Sequence, residues 1–286
     1  MPYASTNGID TYYEVHGEGT ATPLVLSHGL GATSQQWLPH LLPLTTARPL
    51  IVYDTRGHGK TTAPASDGAY SIEIFAADLV AMLGAIGVKK AHIGGQSLGG
   101  MITARLAIDH PELCASAILS DTSCGNGLDG GEAGKWERWV QGVIGNRANI
   151  VEEHGLEEAM RREYTFRKEN DPEFRDSPYT LDDYLRRART TPAAGYAATA
   201  RAIVDRPDLT ARLGSITVPT LVMVGERDWL APCARRDHTL IKGSRFVLRL
   251  NCGHGFRWRK ETFVAEIEAF LADVEAGRPV AGAREV

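Results

Sequence analysis

Gly95-Gln96-Ser97-Leu98-Gly99 is the stretch on which the reading of this chain turns. It follows Ala91-His92-Ile93-Gly94, a short run of strand character, and leads into Leu98–Asp109, whose apolar spacing predicts a helix. A serine on so sharp a strand-to-helix turn is held with strained backbone angles, and its hydroxyl projects from the sheet edge. Glycines two residues to either side are needed because side chains there would collide with neighbouring backbone. Alone, G-x-S-x-G is a weak signal. Between a strand and a helix it points to a nucleophilic serine.

Outward from this turn, strand-like and helix-like runs alternate. Strands are expected at Ile9–His16, 23–28, 49–54, Ala91–Gln96, 115–120, Thr220–Gly225 and 245–250. Helices are expected at 35–45, 71–87, Leu98–Asp109, 235–241 and 261–274, with Ser71 as an N-terminal cap signal for the second. Short apolar strands separated by helices predict a mostly parallel sheet, about eight-stranded, covered on both faces. The middle differs. Five glycines between Gly125 and Gly134 open a loop, and helix-favouring stretches follow at 135–144, 150–168, 181–189 and 193–204. The expected organisation is an α/β core formed by residues 1–124 plus 208–286, with a helical cap, 125–207, inserted after strand 6. The last residues, 277–286, read as frayed.

A serine needs a base, and the base needs an orienting acid. Of the nine histidines only His154, His238 and His254 follow Ser97. His154 falls in the helical insertion and His238 in mid-helix. His254 stands in Asn251-Cys252-Gly253-His254-Gly255, straight after a strand, where α/β sheets place reactive side chains. Two acids qualify at strand C-termini: Asp228, in the more usual place, and Asp121, which otherwise reads as a substrate-side polar group. The oxyanion of acyl transfer needs backbone N–H donors, expected from Leu98 and from Leu30 in His28-Gly29-Leu30-Gly31. Gly29 lets that backbone approach substrate. His28 reads as a loop-shaping residue with a substrate-binding alternative. Arg56 and His58, in Asp54-Thr55-Arg56-Gly57-His58-Gly59, read as parts of a structured turn.

The bulk properties narrow the rest. A net charge of −4 over 286 residues, with no dense basic block, argues against nucleic acid as a partner. No charged and apolar leader opens the chain, and no apolar run approaches the roughly 18 residues of a membrane span, so a cytoplasmic protein is expected. Cys114, Cys124, Cys233 and Cys252 lack metal or disulfide spacing and read as buried free thiols.

Together His28-Gly29-Leu30-Gly31, Asp54 to Gly59, Gly95 to Gly100, Gly225 to Asp228 and Gly253-His254 resemble the α/β-hydrolase fold family over nearly the whole length. Thr191-Pro192-Ala193-Ala194-Gly195-Tyr196-Ala197, with Asp208-Leu209 and Val218-Pro219-Thr220-Leu221, is similar to the 3-oxoadipate enol-lactonase-like branch. The resemblance implies a serine hydrolase of a small carboxylic ester or lactone, acting through an acyl-enzyme with no cofactor and no metal. Ser97 at the nucleophile position sets the chain apart from the branches that use a carboxylate there. Lys60 ahead of Thr61, and the glycine-rich 125–135 segment, depart from the branch and leave the substrate unspecified. The same triad also serves carbon–carbon bond hydrolysis, cofactor-free perhydrolysis and lyase reactions, and a receptor-like binding protein can retain the scaffold. In the cap, Trp136, Trp139, Tyr164, Phe166 and Tyr184, with Trp229 beside the acid, are pocket candidates. Arg161, Arg162, Arg186, Arg187 and Arg189 read as a solvated face paired with Glu157, Glu158, Asp182 and Asp183.

Overall fold

The computed structural model describes the chain except for Met1, Pro39, Asp171 and residues 176–179 and 256–259, and except for the side chains of Asp67, Pro172, Glu173 and Arg187. Its strands are β1 (Tyr3–Thr6), β2 (Ile9–His16), β3 (Leu24–Ser27), β4 (Leu50–Tyr53), β5 (Ala91–Gln96), β6 (Cys114–Ser120), β7 (Thr220–Gly225), β8 (Arg245–Arg249) and β9 (Gly282–Glu285). Among the described residues they form one nine-stranded sheet in the order β1-β2-β4-β3-β5-β6-β7-β8-β9. β2 pairs antiparallel with β1 and β4, and every later pairing is parallel. This is the alpha/beta hydrolase fold that the motifs predict.

Alternate residues of each inner strand point to opposite faces. Ile51 and Tyr53 join the core beneath α1 (Ile72–Ala85) and α2 (Leu98–Asp109), while Leu50 and Val52 join the core beneath Trp37 and α9 (Lys260–Glu275). Both faces are covered, so these strands read as continuous apolar runs. Ser71 caps α1, its hydroxyl accepting from the Ile74 amide at 3.2 Å.

Three expectations change. The sheet expected at about eight strands has nine, because β1 and, from the tail expected to fray, β9 join the seven placed in the sequence. The side chains of β9 are exposed, so no apolar pattern announces it, and the backbone alone pairs it with β8. Residues 35–45 form two short 3₁₀ turns, Ser34–Gln36 and Leu42–Thr46, rather than one helix; Pro43 in the second turn has no N–H to donate. In the insertion, the expected break between 144 and 150 is absent. One helix, α3 (Glu132–His154), runs through and stops at Gly155, where φ is 84°.

The insertion continues through α4 (Leu156–Asn170), α5 (Pro172–Arg175), α6 (Leu181–Thr190) and α7 (Ala193–Val204). Val151, Phe174, Tyr184 and Tyr196 belong to a core of its own. Its entry and exit are bonded side by side: the Leu209 amide donates to the Cys124 carbonyl at 2.9 Å, and the Asn126 amide to Asp208 Oδ2 at 3.2 Å. The remaining helix, α8 (Ala231–Leu240), packs beside β7. All four cysteines are buried, and none forms a disulfide among the described residues. No helix among the described residues is long and apolar enough to cross a membrane.

The topology positions the site. From β3 the chain moves to β4 on one side, then crosses to β5 on the other. The loops leaving β3 and β5 therefore diverge at a reversal of strand order, where open α/β sheets form a crevice.

Candidate active site

Ser97 occupies that crevice with φ 56° and ψ −113°, a conformation that non-glycine residues rarely adopt. The turn is held by the Ser97 amide, which donates to the Ser120 carbonyl at 2.9 Å, and by Thr122 Oγ1, which donates to the Ser97 carbonyl at 2.7 Å. A Cβ at Gly95 would overlap the Gly99 backbone, and one at Gly99 would overlap the Ser27 carbonyl. The glycine spacing thus follows from a backbone that crosses itself and its neighbour.

Ser97 opens into a cavity of about 500 Å³ whose wall includes Gly29, Leu30, Asp228, Trp229 and His254. In the loop after β3, the Gly29 amide is spent on Gln36 Oε1 and the Gly31 amide on His58 Nε2, each at 3.1 Å. The Leu30 amide between them, and the Leu98 amide at the start of α2, make no hydrogen bond among the described residues. Two N–H groups therefore flank Ser97 without an internal acceptor.

His254 lies across the cavity from the loop after β3. Its Nδ1 is 2.8 Å from Asp228 Oδ2, and the other carboxylate oxygen, Oδ1, accepts from the Leu230 amide at 2.9 Å. Burial pulls the imidazole down, but the Asp228 carboxylate outweighs it and holds the proton above the ordinary histidine range. For Asp228 burial pulls upward, yet His254 and the Leu230 amide keep its carboxyl below the usual value. Nε2 of His254 accepts from Gln96 Nε2 at 3.1 Å, and Ser97 Oγ makes no hydrogen bond among the described residues.

Asp121, the other acid considered, is placed elsewhere. It is fully buried, 2.9 and 3.0 Å from a guanidinium nitrogen of the equally buried Arg249, and accepts from the Gly225 amide at 3.1 Å. Arg249 also donates to the Gly255 carbonyl at 2.7 Å. Asp121 therefore braces the loop that carries His254 and does not line the cavity. His28 is likewise off the cavity wall. Its Nε2 accepts from the Thr55 amide at 2.9 Å, so it shapes the loop. Arg56 is buried against Asp78 at 2.7 Å.

Trp139 and Trp229 line the cavity and meet edge to face, ring centroids 4.9 Å apart. Trp136 does not reach the cavity; it packs behind Trp139 against Ala133, Leu230 and Cys233. Phe166 and Tyr184 line the wall, while Tyr164 packs behind Tyr184. Arg186 pairs with Asp183 and Arg189 with Glu157, the solvated pairing expected, whereas Arg162 pairs with Glu158 and also lines the cavity wall, where an anionic substrate would meet it. The Arg187 side chain lies outside the described residues. Sequence reasoning missed Gln96 beside His254 with Gln36 behind it, and missed the cavity-lining pair Arg147–Glu163, 3.2 Å apart, formed where α3 meets α4.

A family model described as alpha/beta hydrolase fold matches residues 22–260. A protein of Variovorax paradoxus named "putative carbamate hydrolase" is 31% identical over 267 residues, covering 92% of this chain and 94% of its own. One of the same name from Azorhizobium caulinodans is 39% identical over 119 residues, 42% of this chain and 43% of that protein. Among solved structures, the enol-lactonase of Burkholderia xenovorans LB400 superposes with a TM-score of 0.80 at 26% identity, covering 95% of this chain and all of that one.

Proposed function

The chain belongs to the alpha/beta hydrolase fold family and is an enzyme of the hydrolase class, and on that premise we propose that it cleaves a carboxylic ester or lactone through Ser97, His254 and Asp228. The observation that carries the reading is the 2.8 Å His254–Asp228 bond in the cavity into which the Ser97 elbow opens. The Asp228 carboxylate accepts from Nδ1, which leaves the Nε2 lone pair to take the Ser97 proton as the hydroxyl oxygen attacks the substrate carbonyl. The Leu30 and Leu98 amides stabilise the resulting oxyanion, each worth about 3–4 kcal/mol on the barrier. Collapse expels the alcohol, or opens the lactone, with the proton returned from His254. Water then attacks the acyl-enzyme with His254 again as base, releasing the acid and restoring Ser97.

The name carried by the two bacterial relatives favours a second substrate for the same chemistry, a carbamate, whose carbonyl also bears a heteroatom leaving group. The test is turnover of p-nitrophenyl acetate and butyrate, with labelling by a serine-reactive phosphonate and Ser97→Ala as control. The expected result is turnover and a single covalent adduct, both lost in Ser97→Ala. A wild-type protein that neither turns over nor labels would sink the proposal. A panel of lactones, aryl esters and carbamates then ranks the substrates.

A further inference from the structure

A chain of side-chain amides ends on the atom that must accept the Ser97 proton. The Gly29 backbone amide, which can only donate, bonds Gln36 Oε1 at 3.1 Å. That fixes which way the Gln36 amide faces, so Gln36 Nε2 donates to Gln96 Oε1 at 3.3 Å. Gln96 in turn must present its own NH₂ onward, to His254 Nε2 at 3.1 Å. At the far side of the ring, the Leu230 amide donates to Asp228 Oδ1 at 2.9 Å, and Asp228 Oδ2 faces Nδ1 at 2.8 Å. The imidazole thus sits in a line of hydrogen bonds whose two ends are backbone N–H groups, and both ends demand the same ring: proton on Nδ1, lone pair on Nε2.

We infer that Gln36 and Gln96 are positioning residues that, together with Asp228, hold His254 as the neutral base with its proton on Nδ1 and its lone pair on Nε2. A neutral imidazole has one lone pair, which Gln96 occupies here, while Ser97 Oγ makes no hydrogen bond among the described residues. Gln96 must therefore yield that lone pair before the Ser97 hydroxyl can transfer its proton to Nε2. An imidazolium would set Nε2–H against the Gln96 N–H, so the pair opposes protonation of the base. Buried Gln96 and half-buried Gln36 both line the cavity wall, within reach of the substrate. Among the described residues the charged groups that act on His254 are Asp228 after β7, Asp121 after β6, which Arg249 on β8 pairs, and Arg167 on α4, and none of these changes in the variants below.

The inference rests on the hydrolase reading, and its test separates the two. Nitrogen NMR of histidine-labelled Ser97→Ala reads the tautomer and titration of His254 without turnover, and the pH profile of kcat/KM reads the same titration in enzyme with Ser97 intact. Gln96→Met keeps the side-chain length and removes the donor. It should move the His254 midpoint up by about half to one pH unit, a three- to tenfold loss of rate on the acid side. Gln36→Leu should move it the same way and add little when combined with Gln96→Met, since both break one chain. Gln96→Glu should move it furthest, because a carboxylate accepts from Nε2–H. The inference is overturned if none of these midpoints moves, or if the Gln36 and Gln96 effects simply add. Should Gln96→Met not fold, Gln36→Leu decides alone. If wild type fails to label with phosphonate, the hydrolase reading falls whatever the histidine does; if it labels while the midpoints stay fixed, only the amide relay falls.

Discussion

Asp228→Asn and Asp121→Asn are nearly isosteric changes in two buried acids, yet they should leave opposite signatures. In Asp228→Asn the Leu230 amide still requires an acceptor 2.9 Å away, so the new carbonyl oxygen stays at Oδ1. The NH₂ must then occupy the Oδ2 position, 2.8 Å from His254 Nδ1. A donor there forces the ring proton to Nε2, where it meets the Gln96 donor and where no lone pair remains for Ser97. The ring is held in the wrong tautomer, and kcat should fall about 10⁴-fold with little change in Tm. In Asp121→Asn no atom of the cavity wall changes. Arg249 instead loses the only carboxylate it pairs with among the described residues, while staying fully buried. An uncompensated buried guanidinium should cost about 3 kcal/mol and lower Tm by several degrees, with kcat within about tenfold of wild type below that temperature. The assay is p-nitrophenyl ester turnover beside calorimetry on both variants. Asp228→Asn retaining substantial activity while Asp121→Asn loses it would refute the assignment of the acid.

Because the Asp228 carboxylate holds the His254 proton above the ordinary imidazole value of 6.5, and the base must be neutral, kcat/KM should fall with decreasing pH through a midpoint above that value. A midpoint below it would contradict the pairing. His92 behaves oppositely. Burial, helped by Arg48 and opposed by Glu275, pulls it to about 4 from 6.5, so below 6.5 the unfolded chain binds a proton that the folded one refuses. Stability should therefore decline between pH 6.5 and 4 by about 3 kcal/mol from this residue. Urea unfolding of His92→Leu across that range should show a shallower pH slope than wild type, and equal slopes would dismiss the effect. Gly99→Ala places a methyl against the Ser27 carbonyl, a backbone atom that cannot swing aside. It should cost about 1–3 kcal/mol and distort the elbow, lowering phosphonate labelling; full labelling in a stable variant would show that the turn tolerates it.

What was legible in the sequence follows from how local its cause is. The elbow is announced within five residues by Gly95 and Gly99, the first required by the Gly99 backbone itself and the second by the Ser27 carbonyl on the neighbouring β3. The ring that faces it, His254, could be narrowed by chain order and strand ends. Asp228 could be placed ahead of Asp121 only by its more usual position, because the contact that sets Asp121 apart is Arg249, 128 positions beyond it. Gln36 and Gln96 stand 60 residues apart, and glutamine carries no spacing signal, so their meeting is visible only once the sheet puts β3 beside β5. Arg147 and Glu163 are likewise joined by helix packing that no periodicity reports. At the periphery β1 left a trace that the strand assignment passed over. Asn7-Gly8, with φ of 38° and 79°, is a hairpin turn signal just before Ile9. β9 left none, since it buries no side chain.

The bonds between Cys124 and Leu209 and between Asn126 and Asp208 have a consequence for how this chain can change. They make the helical segment a loop with both feet planted together, so its length and content can vary without pulling on β6 or β7. The proposed reacting groups, Ser97, His254 and Asp228, all lie outside it, whereas Trp139, Phe166 and Tyr184 lie within. Part of the cavity wall and the proposed reacting groups therefore lie in separate stretches of the chain, although Leu30, Gln96 and Trp229 complete the wall from outside the segment. Exchanging the stretch between the two feet would replace the wall formed by Trp139, Phe166 and Tyr184 while the codons for Ser97, Asp228 and His254 stay outside the exchange.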